Sequence, residues 1–176
     1  MIHMEIVRIP TERISSLTGK NDETKKLLEK RCKVRLNVAS DGEVEIEGET
    51  AEIFFAKDVV KAIGRGFLPH EALKILEEDY QFYLIDLDDH VKSEKAIVRV
   101  KGRIIGEEGK MKTEIEAATE SYLSIYGDTV GIISKLDTIE YAKEAIAMLI
   151  EGAQHASVFS YLAKAKQQIM GSRLRR

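Results

Sequence analysis

The chain has 176 residues with a single cysteine, two prolines and no tryptophan. One cysteine excludes an intramolecular disulfide framework and any zinc site built on several thiolates. Cys32 itself reads as a small core residue beside a strand. Aromatic residues are 6% of the chain, too few for the stacking platforms on which RRM or OB folds lay out bases. There is no apolar run of the roughly 18 residues that a membrane-spanning helix needs. Met1-Ile2-His3-Met4-Glu5 lacks the charged-then-apolar order of a secretory signal, so a cytosolic protein is expected. The four histidines, His3, His70, His90 and His155, show no ligand spacing. No Walker motif and no nucleophile elbow appears. Asp86, Asp88, Asp89 and His90 cluster after a strand, where a solvated acidic loop entering a helix is the reading preferred to a metal site. No catalysis, cofactor or metal is expected.

Positive charge is not in excess either. The net charge is −3, which argues against indiscriminate coating of nucleic acid. The halves differ, however. Residues 1–90 hold 13 Lys and Arg against 19 Asp and Glu, whereas residues 91–176 hold 14 against 11. An electrostatic footprint for RNA therefore belongs in the second half.

What the second half contains is residues 101–110, Lys-Gly-Arg-Ile-Ile-Gly-Glu-Glu-Gly-Lys. A Gly-x-x-Gly turn, Gly106 to Gly109, follows the apolar pair Ile104 and Ile105. A helical pattern follows the turn, with Met111, Ile115 and Ala118 on one face. Glycines lack Cβ, so backbone N–H groups can come close to a phosphate-sugar chain. The loop also ends at a helix N-terminus, whose unpaired N–H groups and dipole favour a phosphate. This order is the mark of a KH domain, whose loop clamps the backbone of a short single strand. Lys101, Arg103, Lys110 and Lys112 surround the loop as candidate contacts, and Glu107 and Glu108 fill its variable positions. Ile104, Ile105, Met111, Ile115, Leu123 and Ile125 are candidates for an apolar base groove by position, or for core.

A second copy is visible as an internal repeat. Shifted by 87 residues, Leu17, Gly19, Leu28 and Glu29 fall on Ile104, Gly106, Ile115 and Glu116; shifted by 86, Ile53, Ala56, Ile63 and Gly66 fall on Ile139, Ala142, Leu149 and Gly152. Each copy of roughly 65–75 residues reads as strand, helix, helix, strand, strand, helix. In the first, strands are expected at 5–9, 33–39 and 43–47 and helices at 12–17, 23–31 and 51–63, the last with Ile53, Phe54, Val59, Val60 and Ile63 as its apolar face. In the second, strands are expected at 81–87, 122–126 and 129–134 and helices at 94–100, 110–120 and about 137–151. Asp22 is expected to cap one helix and Asp137 with Glu140 another. A further helix over 157–170 carries Val158, Leu162, Ala165 and Ile169 on one face. It is expected to pack back on the second unit; alternatively its basic end, with Arg173, Arg175 and Arg176, extends an RNA surface.

The stretch Lys101–Lys112, the hairpin Ile125-Tyr126-Gly127-Asp128-Thr129-Val130 and the segment Glu151-Gly152-Ala153-Gln154-His155 resemble one family. It is that of the archaeal KH proteins related to the eukaryotic Dim-two, or partner-of-Nob, ribosome assembly factors. The resemblance runs from Ile6 to about Met170. It implies an α+β fold with two tandem type I (eukaryotic-type) KH domains, each a three-stranded antiparallel sheet packed on helices, plus a C-terminal helix. The expected layout is a KH-like domain at 1–67, a linker helix at 68–79 with Leu73 and Leu76 buried, and a KH domain with its helical extension at 80–176. The resemblance further implies binding to the 3′ region of small-subunit rRNA, a Nob-type PIN-domain endonuclease as partner, and a link to the alpha subunit of translation initiation factor two. A monomer is expected. The first loop departs from the pattern: Gly19-Lys20-Asn21-Asp22 ends in aspartate. This adds a carboxylate where a phosphate would sit and removes the residue that tolerates positive φ, so the first unit is expected to be structural or protein-binding. A protein-interaction adaptor, docking through the acidic first half, is the competing function.

Overall fold

The computed structural model describes every residue from Met1 to Arg176. It comprises two compact units, Met1–Phe82 and Tyr83–Arg176. The first unit contains β1 (Ile2–Arg8), α1 (Ile14–Thr18), α2 (Glu23–Cys32), β2 (Arg35–Val38), β3 (Glu43–Glu49) and α3 (Thr50–Gly64). It closes with α4 (Pro69–Ala72) and a 3₁₀ turn at Leu73–Leu76. Its sheet is antiparallel in the order β1-β3-β2. The register sets Val7 opposite Val44 and Leu36 opposite Ile46, and all four are buried. Period-two alternation sends these residues to the helical side, where Leu17, Leu28, Ile53 and Val60 of the helices are buried as well. The same alternation turns Glu43, Glu45, Glu47 and Glu49 to the open face, beside the exposed Ile2, Met4 and Ile6 of β1. Cys32 is buried, and burial pushes its thiol up to about 11.

The plan is repeated with β4 (Tyr80–Asp86), within which the division between the units falls, α5 (Glu94–Ile105), α6 (Lys110–Thr119), β5 (Tyr122–Tyr126), β6 (Thr129–Lys135) and α7 (Ile139–Glu151), and the second unit then adds α8 (His155–Leu174). The sheet order is β4-β6-β5. Strand-helix-helix-strand-strand-helix with the last strand in the middle is the eukaryotic-type KH arrangement, present twice. The hairpin turn closes on the end of the first strand in the same way in both units: Ile9 N–H donates to the Gly42 carbonyl at 2.9 Å and Leu87 N–H to the Asp128 carbonyl at 2.8 Å.

α8 packs on α6 and α7. Val158, Leu162, Ala165 and Ile169 are all buried, as their spacing requires. Each of the three branched chains contributes roughly 1.5–3 kcal/mol in transfer free energy. The end of the helix is pinned by charge: Arg173 pairs with Glu120 at 3.1 Å and with Asp137 at 3.7 Å, and Arg176 with Asp137 at 3.4 Å. Two of the three terminal arginines therefore serve the fold.

The structure departs from the sequence reading at definite places. Phe54 lies on the outer side of α3 and is 68% exposed, because Ile53 and Ala56 already fill the inward stripe. Ile75 is buried in place of Leu76, since the chain beyond Ala72 tightens from α to 3₁₀ geometry and rotates the stripe. The helix expected at 94–100 runs on to Ile105, so Ile104 and Ile105 are helical up to the loop. Asp22 and Asp137 cap nothing with their side chains. Asp22 stands in left-handed geometry, and Asp137 is drawn to the arginines of α8.

Candidate nucleic-acid interface

The loop begins where α5 ends. Gly106 N–H donates to the Gly102 carbonyl at 2.8 Å, and Gly109 N–H to Gly106 at 3.2 Å. Glu108 and Gly109 both take left-handed backbone, φ 55° and 76°. The two glycines do different work. A Cβ on Gly106 would stand 2.7 Å from the Met111 nitrogen and 2.8 Å from its Cβ, at φ +77°. A Cβ on Gly109 would meet nothing within 4 Å. Gly106 therefore lets the loop fold onto α6, whereas Gly109 keeps an outer surface bare. No side chain caps the N-terminus of α6, so that end is served by backbone alone.

The charged candidates separate on inspection. Lys110 is exposed, with its ammonium 5.7 Å from the ring centre of Phe159. Glu107 and Glu108 are exposed. Lys101 is half-buried. Lys112 is bonded to Glu116 at 3.1 Å, and the other oxygen of Glu116 accepts from Leu123 N–H at 3.1 Å, tying α6 to β5. Arg103 is turned away from the loop: its guanidinium donates to the carbonyls of Leu149 and Ala153 at the end of α7. Of the apolar candidates, Ile104, Met111, Ile115 and Leu123 are core; Ile105 and Ile125 keep accessible surface.

The first loop has the same backbone. Gly19, Asn21 and Asp22 have φ of 70°, 53° and 59°, matching Gly106, Glu108 and Gly109. Asparagine and aspartate are the side chains that best tolerate this region. The expectation that Asp22 forfeits the turn is thus overturned in its conformational half; its charge is what distinguishes the two loops.

Two supports were not foreseen. Glu29 accepts from Leu36 N–H at 2.9 Å, as Glu116 does from Leu123, and the match of Glu29 with Glu116 in the repeat is the signal that could have found it. Arg13 donates to the carbonyls of Ile63 at 2.9 Å and Phe67 at 3.1 Å, the counterparts of Leu149 and Ala153. A cation there adds a charged donor to carbonyls at the helix end and sits at the negative end of the helix dipole. Truncating half-buried Arg103 to alanine is expected to cost about 2 kcal/mol of stability, the range for hydrogen bonds from a charged group, read as a lowered urea midpoint. A stability left unchanged would free Arg103 for a direct role at the loop.

Tandem KH units, one with an open-faced Gly-x-x-Gly loop, define a class of single-strand nucleic-acid-binding protein. The comparisons agree. Residues 81–167 match the family model of the eukaryotic-type KH domain (type I), and residues 4–62 match the general KH domain model. A KH domain-containing protein of Methanocaldococcus jannaschii is 40% identical over 97% of this chain and 77% of its own length. The pre-rRNA-processing protein PNO1 of Chaetomium thermophilum is 29% identical over 96% of the chain, which spans 66% of that longer protein. Among solved structures, aDim2p of Pyrococcus horikoshii in a complex with a/eIF2alpha and rRNA aligns with a TM-score of 0.89 and 40% identity, over 96% of each chain. The chain belongs to the Dim2p/PNO1 family of two-KH proteins. No helix is long and apolar enough to cross a membrane.

Proposed function

We propose that the protein is an RNA-binding assembly factor of the small ribosomal subunit. It holds single-stranded rRNA near the 3′ end of the small-subunit rRNA, through the loop Gly106–Gly109, and presents it to a nuclease carried by another chain. The observation that carries this reading is the bare outer surface of Gly109 at an uncapped helix N-terminus, in a chain whose relative is crystallised with rRNA. Lys110 supplies the accessible positive charge beside the loop; Arg103 and Lys112 act as positioning residues through α7 and Glu116. The protein has no catalytic step of its own and works in the cytoplasm with the subunit. Its protein partners are the alpha subunit of initiation factor two, present in the relative's complex, and a Nob-type PIN-domain endonuclease.

The test is a titration of the protein with a short RNA of the rRNA 3′-end sequence and with a scrambled RNA, at two salt concentrations. Tighter binding of the cognate strand, weakening with salt as phosphate contacts release counterions, is expected. Equal binding of both strands, or affinity indifferent to salt, would remove the sequence-reading or the phosphate-clamping half of the proposal respectively.

A further inference from the structure

The internal repeat allows each surface of one unit to be read against its counterpart in the other. Between the first strand and the last helix the two have diverged. In the first unit Lys57 of α3 reaches across to Glu5 of β1 and pairs with it at 3.2 Å. Further along, Ile9 lies against Gly64 so closely that a Cβ there would be 2.6 Å from its side chain. There an ion pair and a close packing contact bridge the strand and the helix.

In the second unit the counterpart of Lys57 is Lys143 by the offset of 86, and that of Glu5 is Tyr83, because the equivalent hydrogen bonds of Ile9 and Leu87 set the first strands 78 residues apart. Lys143 again reaches across, but its ammonium lies 4.1 Å from the centre of the Tyr83 ring and 3.1 Å from a Glu140 oxygen. Gly64 is replaced by Ile150, and the space is open as a cavity of about 280 Å³. Ile85, Ala147 and Ile150 supply apolar lining, and the exposed Glu140, Glu144 and Glu151 line it as well, against two basic groups, Lys143 and His90. β4 is an edge strand of its sheet, the kind of edge that an extended peptide can join.

The chain displays in this groove the chemistry that the groove accepts: an ammonium held by an aromatic face and a carboxylate. Lys143 pairs with Glu140, which leaves the carboxylates of Glu144 and Glu151 to set the sign of the groove, so a phosphate chain is the wrong occupant. The volume falls just below the usual range of small-molecule pockets. We propose that the groove between β4 and α7 is a docking site for a basic segment of a protein partner. An arginine or lysine of that segment takes the place over Tyr83 that Lys143 holds in the free chain, and an adjacent apolar residue rests on Ile85 and Ile150. Lys143 is thereby an internal competitor. This inference is independent of the RNA reading, whose loop Gly106–Gly109 contributes no residue to the groove.

The experiment uses the full chain with isotope-labelled isoleucine and alanine methyl groups. It is titrated with a hexapeptide alternating arginine and valine, with the same peptide carrying glutamate in place of arginine, and with oligouridylate. The arginine peptide is expected to shift the methyl signals of Ile85, Ala147 and Ile150, and the other two probes are not. Lys143→Ala is expected to bind the arginine peptide about threefold more tightly and Tyr83→Leu about threefold more weakly, the scale of one exposed cation–π contact. Lys166→Ala, which removes the same charge outside the groove, is expected to change nothing. No binding by the arginine peptide, shifts confined to other methyls, the same shifts with oligouridylate, or equal gains in Lys143→Ala and Lys166→Ala would each overturn the proposal.

Discussion

Replacing Gly109 by aspartate is expected to leave the second unit folded while weakening its binding to single-stranded rRNA at least tenfold. Both halves follow from the molecule itself. The first unit already carries aspartate at the equivalent place, Asp22, with φ 59° and an intact loop. The backbone that Gly109 adopts at φ 76° is therefore open to aspartate at modest cost, and its Cβ meets no atom within 4 Å. What the substitution changes is the outer surface. A carboxylate about 4 Å from a phosphate costs about 1 kcal/mol in bulk water and several times that near a protein surface. The new side chain also occupies the space through which the sugar-phosphate chain would approach. Circular dichroism and the urea midpoint should be near wild type while the RNA titration collapses. Retained affinity in a folded variant would move the RNA site away from this loop.

Gly106→Ala should behave in the opposite way. Here the added methyl group meets backbone, at 2.7 Å from the Met111 nitrogen, with φ at +77°. At φ 77° and ψ 173° the backbone lies in a region open essentially to glycine, at a cost to any other residue of roughly 1–3 kcal/mol. The clash adds to it, because the first turn of α6 has to shift and Met111 is fully buried. A loss of about 3 kcal/mol or more is expected, visible as a large drop in the urea midpoint with RNA affinity falling only as the fold is lost. The two glycines of one motif thus separate by assay: one reads out in stability, the other in binding. Similar outcomes for both would mean that the loop tolerates rearrangement.

The fold was legible because its signals are periodic and doubled. Val44 and Ile46, or Val158 with Leu162, Ala165 and Ile169, declare their faces by spacing alone, and the repeat lets each unit vouch for the other. The loop was legible through its glycines. What escaped the sequence was the destination of polar side chains. Arg103 and Lys110 stand on either side of the same motif and look alike in sequence, yet one serves the carbonyls of Leu149 on α7 and Ala153 just beyond it, and the other is exposed. Asp137 reads as a helix cap until α8 folds back and presents Arg173 and Arg176. Such choices rest on contacts between residues tens of positions apart, where competing partners differ by about 1 kcal/mol or less. Phe54 failed for another reason: the helical stripe was already full, and the pattern alone does not show when a face has enough.

The arginines of the two units show how duplicated halves drift. By the offset that aligns the loops, Ser16 stands where Arg103 would be expected, and Val100 stands where Arg13 would be. The two arginines sit about one helical turn apart in the alignment, yet they reach equivalent carbonyls. Descent has kept the recipient and exchanged the donor. A residue-by-residue comparison of the halves would score both arginines as unrelated to anything, and a survey of substitutions at either position alone would miss that one constraint is being met from two addresses.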